Sequence, residues 1–311
     1  MPTPPSFRRA PAVAPLVAAT ACWGVGTVVT KQVLEDVAPL SLLPIQLAAS
    51  CLLLLTLTLL RREKVTWSPG FRRLAGLGVL NPGLAYALGL LGLVSITASM
   101  SVLLWAAEPV LIVLLAVTLL REHVPARRIA ALTLAVAGVL LVVYQPGVEG
   151  TGLGLALTLM AVGCCALYTV ATRQWLLDDA SLPVVLAQQM AALAFAAILA
   201  TAVQAGGGVG WSLHGHGPGV WAAAAVSGCL YYGLAFWFYL IGLRRVDASV
   251  AGSYLPLIPV FGVAAGFLVG ERLDIHQWLG AATVVAVTAE MALHERRHSP
   301  ELPLGSFSVD D

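Results

Sequence analysis

One acidic side chain stands alone in a long apolar stretch of the sequence. From Leu74 to Leu120, Glu108 is the only charged residue, and Trp105 precedes it by three positions, a spacing that puts both on one helix face. A charged carboxylate facing lipid costs about 2.5 kcal/mol or more, so Glu108 is expected to face a cavity or a partner. Burial disfavours the charged form of a carboxyl, which suits Glu108 to binding and releasing a proton. The alternative is a protonated Glu108 that is hydrogen-bonded between helices.

Aromatic and amide side chains within the apolar segments are candidates for contact with a bound molecule. Rings offer apolar surface plus hydroxyl or cation–π contacts, and amides can hydrogen-bond a zwitterionic or hydroxylated molecule. For a single ring, packing or an interfacial belt is the commoner role, and interhelical hydrogen bonding is an equal alternative for the amides. Together with Glu108, the candidate binding residues are Trp23, Gln46, Tyr86, Trp105, Gln188, Tyr232, Trp237 and Tyr254.

Prolines interrupt two of the apolar segments at corresponding positions. Pro109 follows Glu108 directly, and Pro256 and Pro259 lie in a later segment. Because proline lacks an N–H, each frees a backbone carbonyl that can bind a substrate or permit bending where protein or water satisfies it. These three prolines are candidate hinges, and ordinary packing kinks are the alternative.

Other kinds of functional site are missing from the sequence. No G-x-S-x-G, HExxH or Gly-rich P-loop occurs, and the six histidines lie in loops, in the tail or at the edge of a segment. The five cysteines have no metal-ligand spacing and are expected to be packing residues. A net charge of +1 without a basic stripe gives no reason to expect nucleic acid. We therefore predict no enzymatic activity, no cofactor and no metal site.

Composition places the chain in a lipid bilayer. The sequence is 59% hydrophobic and 11% charged, against roughly 25% charged in an ordinary soluble domain. Too few polar residues are present to cover a water-soluble core. Most apolar segments have about 20 residues, the length of a membrane-spanning helix. Ten spans are predicted, at 12–33, 39–60, 72–92, 95–119, 127–145, 151–173, 182–204, 218–243, 248–270 and 275–293.

Positive charges indicate the orientation. With the N-terminus in the cytoplasm, the inner segments hold all 17 Lys and Arg residues except Lys31 and Arg272, as the positive-inside rule leads one to expect. We predict a multi-pass protein of the cell (inner) membrane with both termini cytoplasmic. Glu122 and Glu271 end spans four and nine beside Arg121 and Arg272, where ion pairs that hold or gate the helix ends are expected.

The sequence repeats itself. TVVTKQ (27–32) recurs as TVATRQ (169–174) after 142 residues, and GLAYALGLLGL (83–93) recurs as GLAFWFYLIGL (233–243) after 150. Five spans per half is an odd number, so the second half enters the membrane from the opposite side. The predicted fold is all-α: ten transmembrane helices as two inverted five-helix repeats, at 11–145 and 151–293, followed by a cytoplasmic tail at 294–311.

These features resemble the drug/metabolite transporter superfamily, in particular its EamA-type ten-helix proteins. The resemblance rests on Trp23-Gly24 in span one, on EPV at Glu108–Val110, and on Glu122 and Glu271 closing spans four and nine after a proline. It implies a secondary carrier for small metabolites, often an amino-acid exporter. It also implies a central cavity lined by spans one to four and six to nine, with spans five and ten peripheral.

The predicted function is secondary active transport of small polar metabolites by alternating access, with amino-acid or metabolite export as the leading hypothesis. Inverted repeats place the substrate where the two halves meet. The expected partners are a small-molecule substrate, the lipid bilayer and protons as the coupling ion, in a monomer or homodimer. One alternative is efflux of drugs or lipophilic cations, although small multidrug carriers of the superfamily have a Glu in the first helix and span one has no acid before Glu35. A lipid-head-group flippase or a membrane scaffold is the other.

Overall fold

The structure, a computed structural model, describes residues 13–63, 68–93, 104–105, 107–143, 151–175, 181–211, 215–268 and 275–298. Every regular element within these ranges is a helix, as lipid requires of segments that must satisfy their own backbone hydrogen bonds. Seven of the described helices are long and apolar enough to cross a membrane, and Glu108–Leu119 is a shorter apolar helix. The predicted all-helical, polytopic fold is confirmed.

The helices follow the predicted spans closely. Span ten ends five residues later than predicted, because its HERRH end consists mainly of good helix formers and a helix need not stop at the bilayer surface. In chain order, spans one to ten contain Val13–Val33; Pro39–Leu60; Pro69–Gly78, Val79–Leu84 and Ala85–Leu93; Glu108–Leu119; Ala126–Val143; Gly152–Trp175; Ser181–Ala205; Pro218–Gly228, Cys229–Leu234 and Ala235–Leu243; Ala248–Gly252 and Leu257–Leu268; and Ile275–His298.

The repeat is visible in local backbone geometry. Span three is kinked at Val79–Leu84, and span eight departs from α-helical geometry in the π-helical segment Cys229–Leu234, 150 positions later. Each follows a glycine, Gly78 or Gly228, at which another helix approaches closely. In span three the segment contains Asn81 in an extended conformation (φ −148°, ψ 122°) just before a proline, since a residue before proline is pushed out of the helical region.

Packing between the halves has the same symmetry. Span one packs against spans eight and nine, and correspondingly span six packs against spans three and four. Span two packs on span seven, and span five packs on span ten. Each contact therefore has a counterpart when the halves are exchanged, which is the arrangement of two inverted repeats around a shared axis. One hydrophobic core runs through both halves, and exposed leucines cover the outside, among them Leu52, Leu59, Leu153 and Leu268.

Candidate functional site

Spans four and nine are both interrupted where the sequence places its prolines. The described part of span four resumes as a helix at Glu108, with Pro109 as the second residue. In span nine a turn separates Ala248–Gly252 from Leu257–Leu268, and Pro256 and Pro259 flank the start of the second helix. Proline is tolerated in a first helical turn, where its missing N–H has no intrahelical partner to lose. The three prolines thus mark helix starts, and their role as hinges stays a prediction.

Glu108 lies at the break in span four. Its side chain is deep within the bundle and yet partly exposed, which indicates that it faces an internal space. It is within electrostatic range of the Cys165 thiol and of the hydroxyls of Tyr231 and Tyr239. No hydrogen bond or ion pair joins Glu108 to another residue in the described part of the chain. The interhelical hydrogen bond considered from the sequence is therefore not seen there.

Aromatic rings from spans three, four and eight gather beside Glu108. Tyr86 is stacked on Trp105 with ring centroids 6.0 Å apart, and it meets Tyr231 and Tyr232 edge-on at 5.5 and 5.3 Å. The Tyr231 hydroxyl interacts with the side chains of Tyr86 and Thr27. We call this group the Glu108 cluster; its members are Tyr86, Trp105, Glu108, Cys165, Tyr231 and Tyr232.

A second aromatic group surrounds Trp23. Its indole meets Phe236 at 5.4 Å and Tyr239 at 5.3 Å, both edge-on, and Phe236 also contacts Tyr168 at 5.9 Å. All four rings are buried. The indole Nε1 is buried and makes no hydrogen bond within the described residues. We call these residues the Trp23 cluster; it adjoins the Glu108 cluster through Tyr239.

Trp237 and Tyr254 are placed by other contacts. The Trp237 ring stacks on Phe238 at 5.5 Å, and the Arg61 guanidinium lies 4.7 Å from its centroid. Arg61 caps the end of span two, so Trp237 lies towards one end of the bundle. Tyr254 is buried in the core at the turn that interrupts span nine.

The two predicted amides are repeat counterparts, 142 positions apart, and both are hydrogen-bonded to neighbouring helices. Gln188 Nε2 donates to the Leu74 carbonyl at 3.0 Å, and its Oε1 accepts from the Tyr168 hydroxyl at 2.8 Å. Gln46 Nε2 donates to Ser227 Oγ at 2.8 Å and to Thr30 Oγ1 at 3.0 Å.

Gln46 makes the same connection as Gln188, except that a serine hydroxyl lies between the amide and the carbonyl. Ser227 Oγ donates to the Ala224 carbonyl at 2.9 Å, and Ala224 is the counterpart of Leu74. The amide thus reaches the same carbonyl position directly in one repeat and through serine in the other. Satisfied buried amides hold helices together, so these contacts support the interhelical alternative considered from the sequence.

Glu122 contacts backbone groups, whereas an ion pair was expected for it from the sequence. Its carboxylate oxygens accept the backbone N–H groups of Ala248 at 2.9 Å and Ser249 at 3.1 Å, at the start of span nine. No ion pair of Glu122 occurs within the described ranges, so the pairing predicted beside Arg121 is not seen there: the carboxylate instead accepts from two N–H groups that have no intrahelical partner at the start of span nine. Glu271 and Arg272 lie outside the described residues.

This contact predicts unequal effects for two neighbouring substitutions. Glu122→Ala should destabilise the protein by about 1–2 kcal/mol, the cost of a lost helix cap. Arg121→Gln should cost less than about 0.5 kcal/mol, as expected for an exposed charge without a required partner. Thermal melting of the two purified variants measures the difference. Equal losses would mean that the ion pair, and not the cap, holds this helix end.

Tyr231, Cys165 and Thr27 are site residues that sequence reasoning did not select. The sequence favours Tyr232 over its neighbour Tyr231, and the side chains of neighbouring residues in a regular helix diverge by about 100°. A signal for Cys165 was present: at the offset of 142 it is the repeat counterpart of Trp23. Projecting each candidate onto the other repeat would have found it.

Comparison with known proteins agrees with the fold. The chain matches an uncharacterized transporter, YyaM of Bacillus subtilis (strain 168), at 24% identity over 188 residues, which is 59% of this chain and 60% of YyaM. The chain therefore matches less than two thirds of that relative's length. A crystal structure of a protein at 19% identity superimposes with a TM-score of 0.77 over 93% of this chain and 99% of its own, a likeness of fold alone.

The repeat architecture is matched as well. The model of the EamA-like transporter family fits twice, at residues 11–144 and 152–291. These two stretches account for most of the chain and coincide with the two sets of five spans. The chain belongs to the EamA-like transporter family of the drug/metabolite transporter superfamily and is a multi-pass membrane protein.

Proposed function

We propose that this transporter is a secondary active carrier of small polar metabolites, with amino acids as the leading cargo class. It works by alternating access in the cell (inner) membrane, and both termini lie in the cytoplasm. The observation that carries the proposal is Glu108: a carboxyl with no protein partner in the described part of the chain, partly exposed within the bundle and next to both repeats.

The surroundings of Glu108 favour a small cargo with a hydrogen-bond donor or a positive charge. The carboxyl can accept from an ammonium or a hydroxyl group, and the Tyr86, Tyr231 and Tyr232 rings offer apolar faces with polar tips. The group draws on spans three, four, six and eight, so a bound molecule touches both halves. Relative movement of the halves can then expose the molecule to one side of the membrane at a time.

We assign the coupling of transport to protons to the Glu108 carboxyl. A carboxyl in this environment carries a proton or a donor group of the cargo, because an uncompensated charge is costly within a bilayer. Exchange of one for the other would link proton entry to cargo exit. Efflux of lipophilic cations remains the second candidate, since the stacked Tyr86 and Trp105 rings could also hold a cation.

The test is binding followed by flux. Purified protein is screened by thermal shift against amino acids, sugars and cationic drugs, and each stabilising compound is assayed for counterflow in proteoliposomes with and without a pH gradient. Saturable counterflow of an amino acid or another polar metabolite is the expected result. Counterflow of cationic drugs alone would favour the second candidate. Flip of a fluorescent lipid without solute flux, or no movement of either, would overturn the proposal.

A further inference from the structure

The two repeats differ in side-chain size around the aromatic clusters. Trp23 corresponds to Cys165 at the offset of 142, and Tyr239 corresponds to Gly89 at the offset of 150. Trp23 and Tyr239 are in ring contact at 5.3 Å. Two adjacent rings on one side of the pseudo-two-fold axis are thus replaced by a thiol and a hydrogen on the other side.

A side chain at position 89 would meet two other side chains, and the Trp105 ring would have to shift slightly to admit it. A Cβ built there would lie 3.3 Å from Trp105 Cζ2 and 3.8 Å from Ala161 Cβ, and neither is backbone. Trp105 and Tyr231, whose counterparts are Leu255 and Asn81, refill part of the space of the missing rings. Trp105 and Tyr231 themselves remain partly exposed, so they line the space without closing it.

Exposure differs between the two sides in the same sense. Trp23, Tyr168, Phe236 and Tyr239 are all buried. In the Glu108 cluster Cys165 and Tyr232 are buried too, whereas Tyr86, Trp105, Glu108 and Tyr231 are partly exposed. A threonine pair gives an independent comparison. Thr169, whose Oγ1 is 3.4 Å from the Tyr239 hydroxyl, is 2% exposed. Its counterpart Thr27, which would face a ring at position 89, is exposed.

Building on the proposed function, we propose that the cargo binds off the pseudo-two-fold axis, in the space beside Gly89 and Cys165, and that the Trp23 cluster permanently fills the equivalent space on the other side. Gly89 and Cys165 then set the size limit of the cargo. The molecule that fits is no larger than the two missing rings and presents a donor group, ammonium or hydroxyl, to the Glu108 carboxyl.

Off-axis binding follows from the chemistry of the two sides. Only one side has a carboxyl, because the counterpart of Glu108 is Ile258. The side that carries Glu108 is also the side without a buried ring pair like that of Trp23 and Tyr239. A cargo on the axis would meet Glu108 on one flank and Ile258 on the other, whereas an off-axis cargo meets its polar partners together. Both halves still move during transport, but the residues that bind the cargo lie on one side of the pseudo-two-fold axis.

The flux test fills the space in steps. Gly89→Ala, Gly89→Leu and Gly89→Phe should progressively lower counterflow of an equimolar mixture of the twenty amino acids, with near-complete loss for the phenylalanine variant. Gly163→Leu is the matched control, because no atom lies within 4 Å of a Cβ built at Gly163 on the neighbouring span six. Melting temperatures of all variants establish that they fold. Full counterflow by a folded Gly89→Phe protein would overturn the inference.

A second measurement needs no cargo and separates this inference from the proposed function. Thr27→Cys, Gly89→Cys and Thr169→Cys are made singly in a background without the five native cysteines and treated with 2-aminoethyl methanethiosulfonate. The thiols at 27 and 89 should react at least about tenfold faster than the thiol at 169, because modification follows exposure. Equal rates would overturn the off-axis space. If wild-type protein moves no solute while these rates differ as expected, the transport proposal fails, whereas the inferred space beside Gly89 is still supported.

Discussion

Replacing Gly78 by alanine is expected to prevent correct folding. A Cβ at this position would lie 1.9 Å from the Gln188 carbonyl oxygen and 2.5 Å from its carbonyl carbon. Because both atoms belong to the backbone of span seven, they cannot move aside as a flexible side chain could. The helices must separate, and this would also break the bond from Gln188 Nε2 to the Leu74 carbonyl. We expect a loss above about 3 kcal/mol, the upper range for overpacking.

The effect is measured as monodispersity and melting temperature of the detergent-purified protein. The matched control is Gly76→Ala in the same helix, where a Cβ meets nothing within 4 Å. Alanine is favoured over glycine in a helix by roughly 1 kcal/mol, so this control should be neutral or stabilising. Gly228→Ala should reproduce the damage of Gly78→Ala, since its Cβ would lie 2.3 Å from the Gln46 carbonyl oxygen. Similar melting of Gly78→Ala and Gly76→Ala would contradict the close approach.

Replacing Glu108 by glutamine is expected to abolish the response of transport to a pH gradient. Glutamine keeps the shape of the side chain and one carbonyl acceptor, but it cannot bind and release a proton in the transport cycle. Substrate counterflow, which needs no net proton movement, should persist at a reduced level wherever the amide still binds the cargo. Flux into proteoliposomes is measured with and without an imposed pH gradient.

Glu290→Gln provides the control for removing an acid from a span. Glu290 pairs with Arg127 between spans ten and five, and both side chains are about half exposed. An exposed pair contributes about 0–1 kcal/mol, so this variant should keep its gradient-driven flux. If Glu108→Gln responds to the gradient as the wild type does, Glu108 is not the coupling group and the proton passes elsewhere.

Much of the candidate site could be anticipated, since Glu108, Trp105, Tyr86 and Tyr232 do lie together in the structure. Each of these residues carries a polar group or an aromatic ring deep within a membrane span, where lipid tolerates few polar groups. Gln46 and Gln188 met the same criterion and prove to be hydrogen-bonded between helices. Depth in a span identifies a residue that needs a partner, but it does not say whether that partner is another helix or a bound molecule.

The sequence by itself determined the membrane fold. Lipid leaves a long apolar segment no choice but a helix, so the ten spans, the doubled five-span pattern and the family resemblance follow from residue type and spacing. Which rings form the Glu108 cluster, which atoms Glu122 caps and where Gly78 meets Gln188 were decided only by the tertiary structure. These facts depend on the rotation and approach of helices more than 100 residues apart, and a local pattern of apolar residues places no constraint on them.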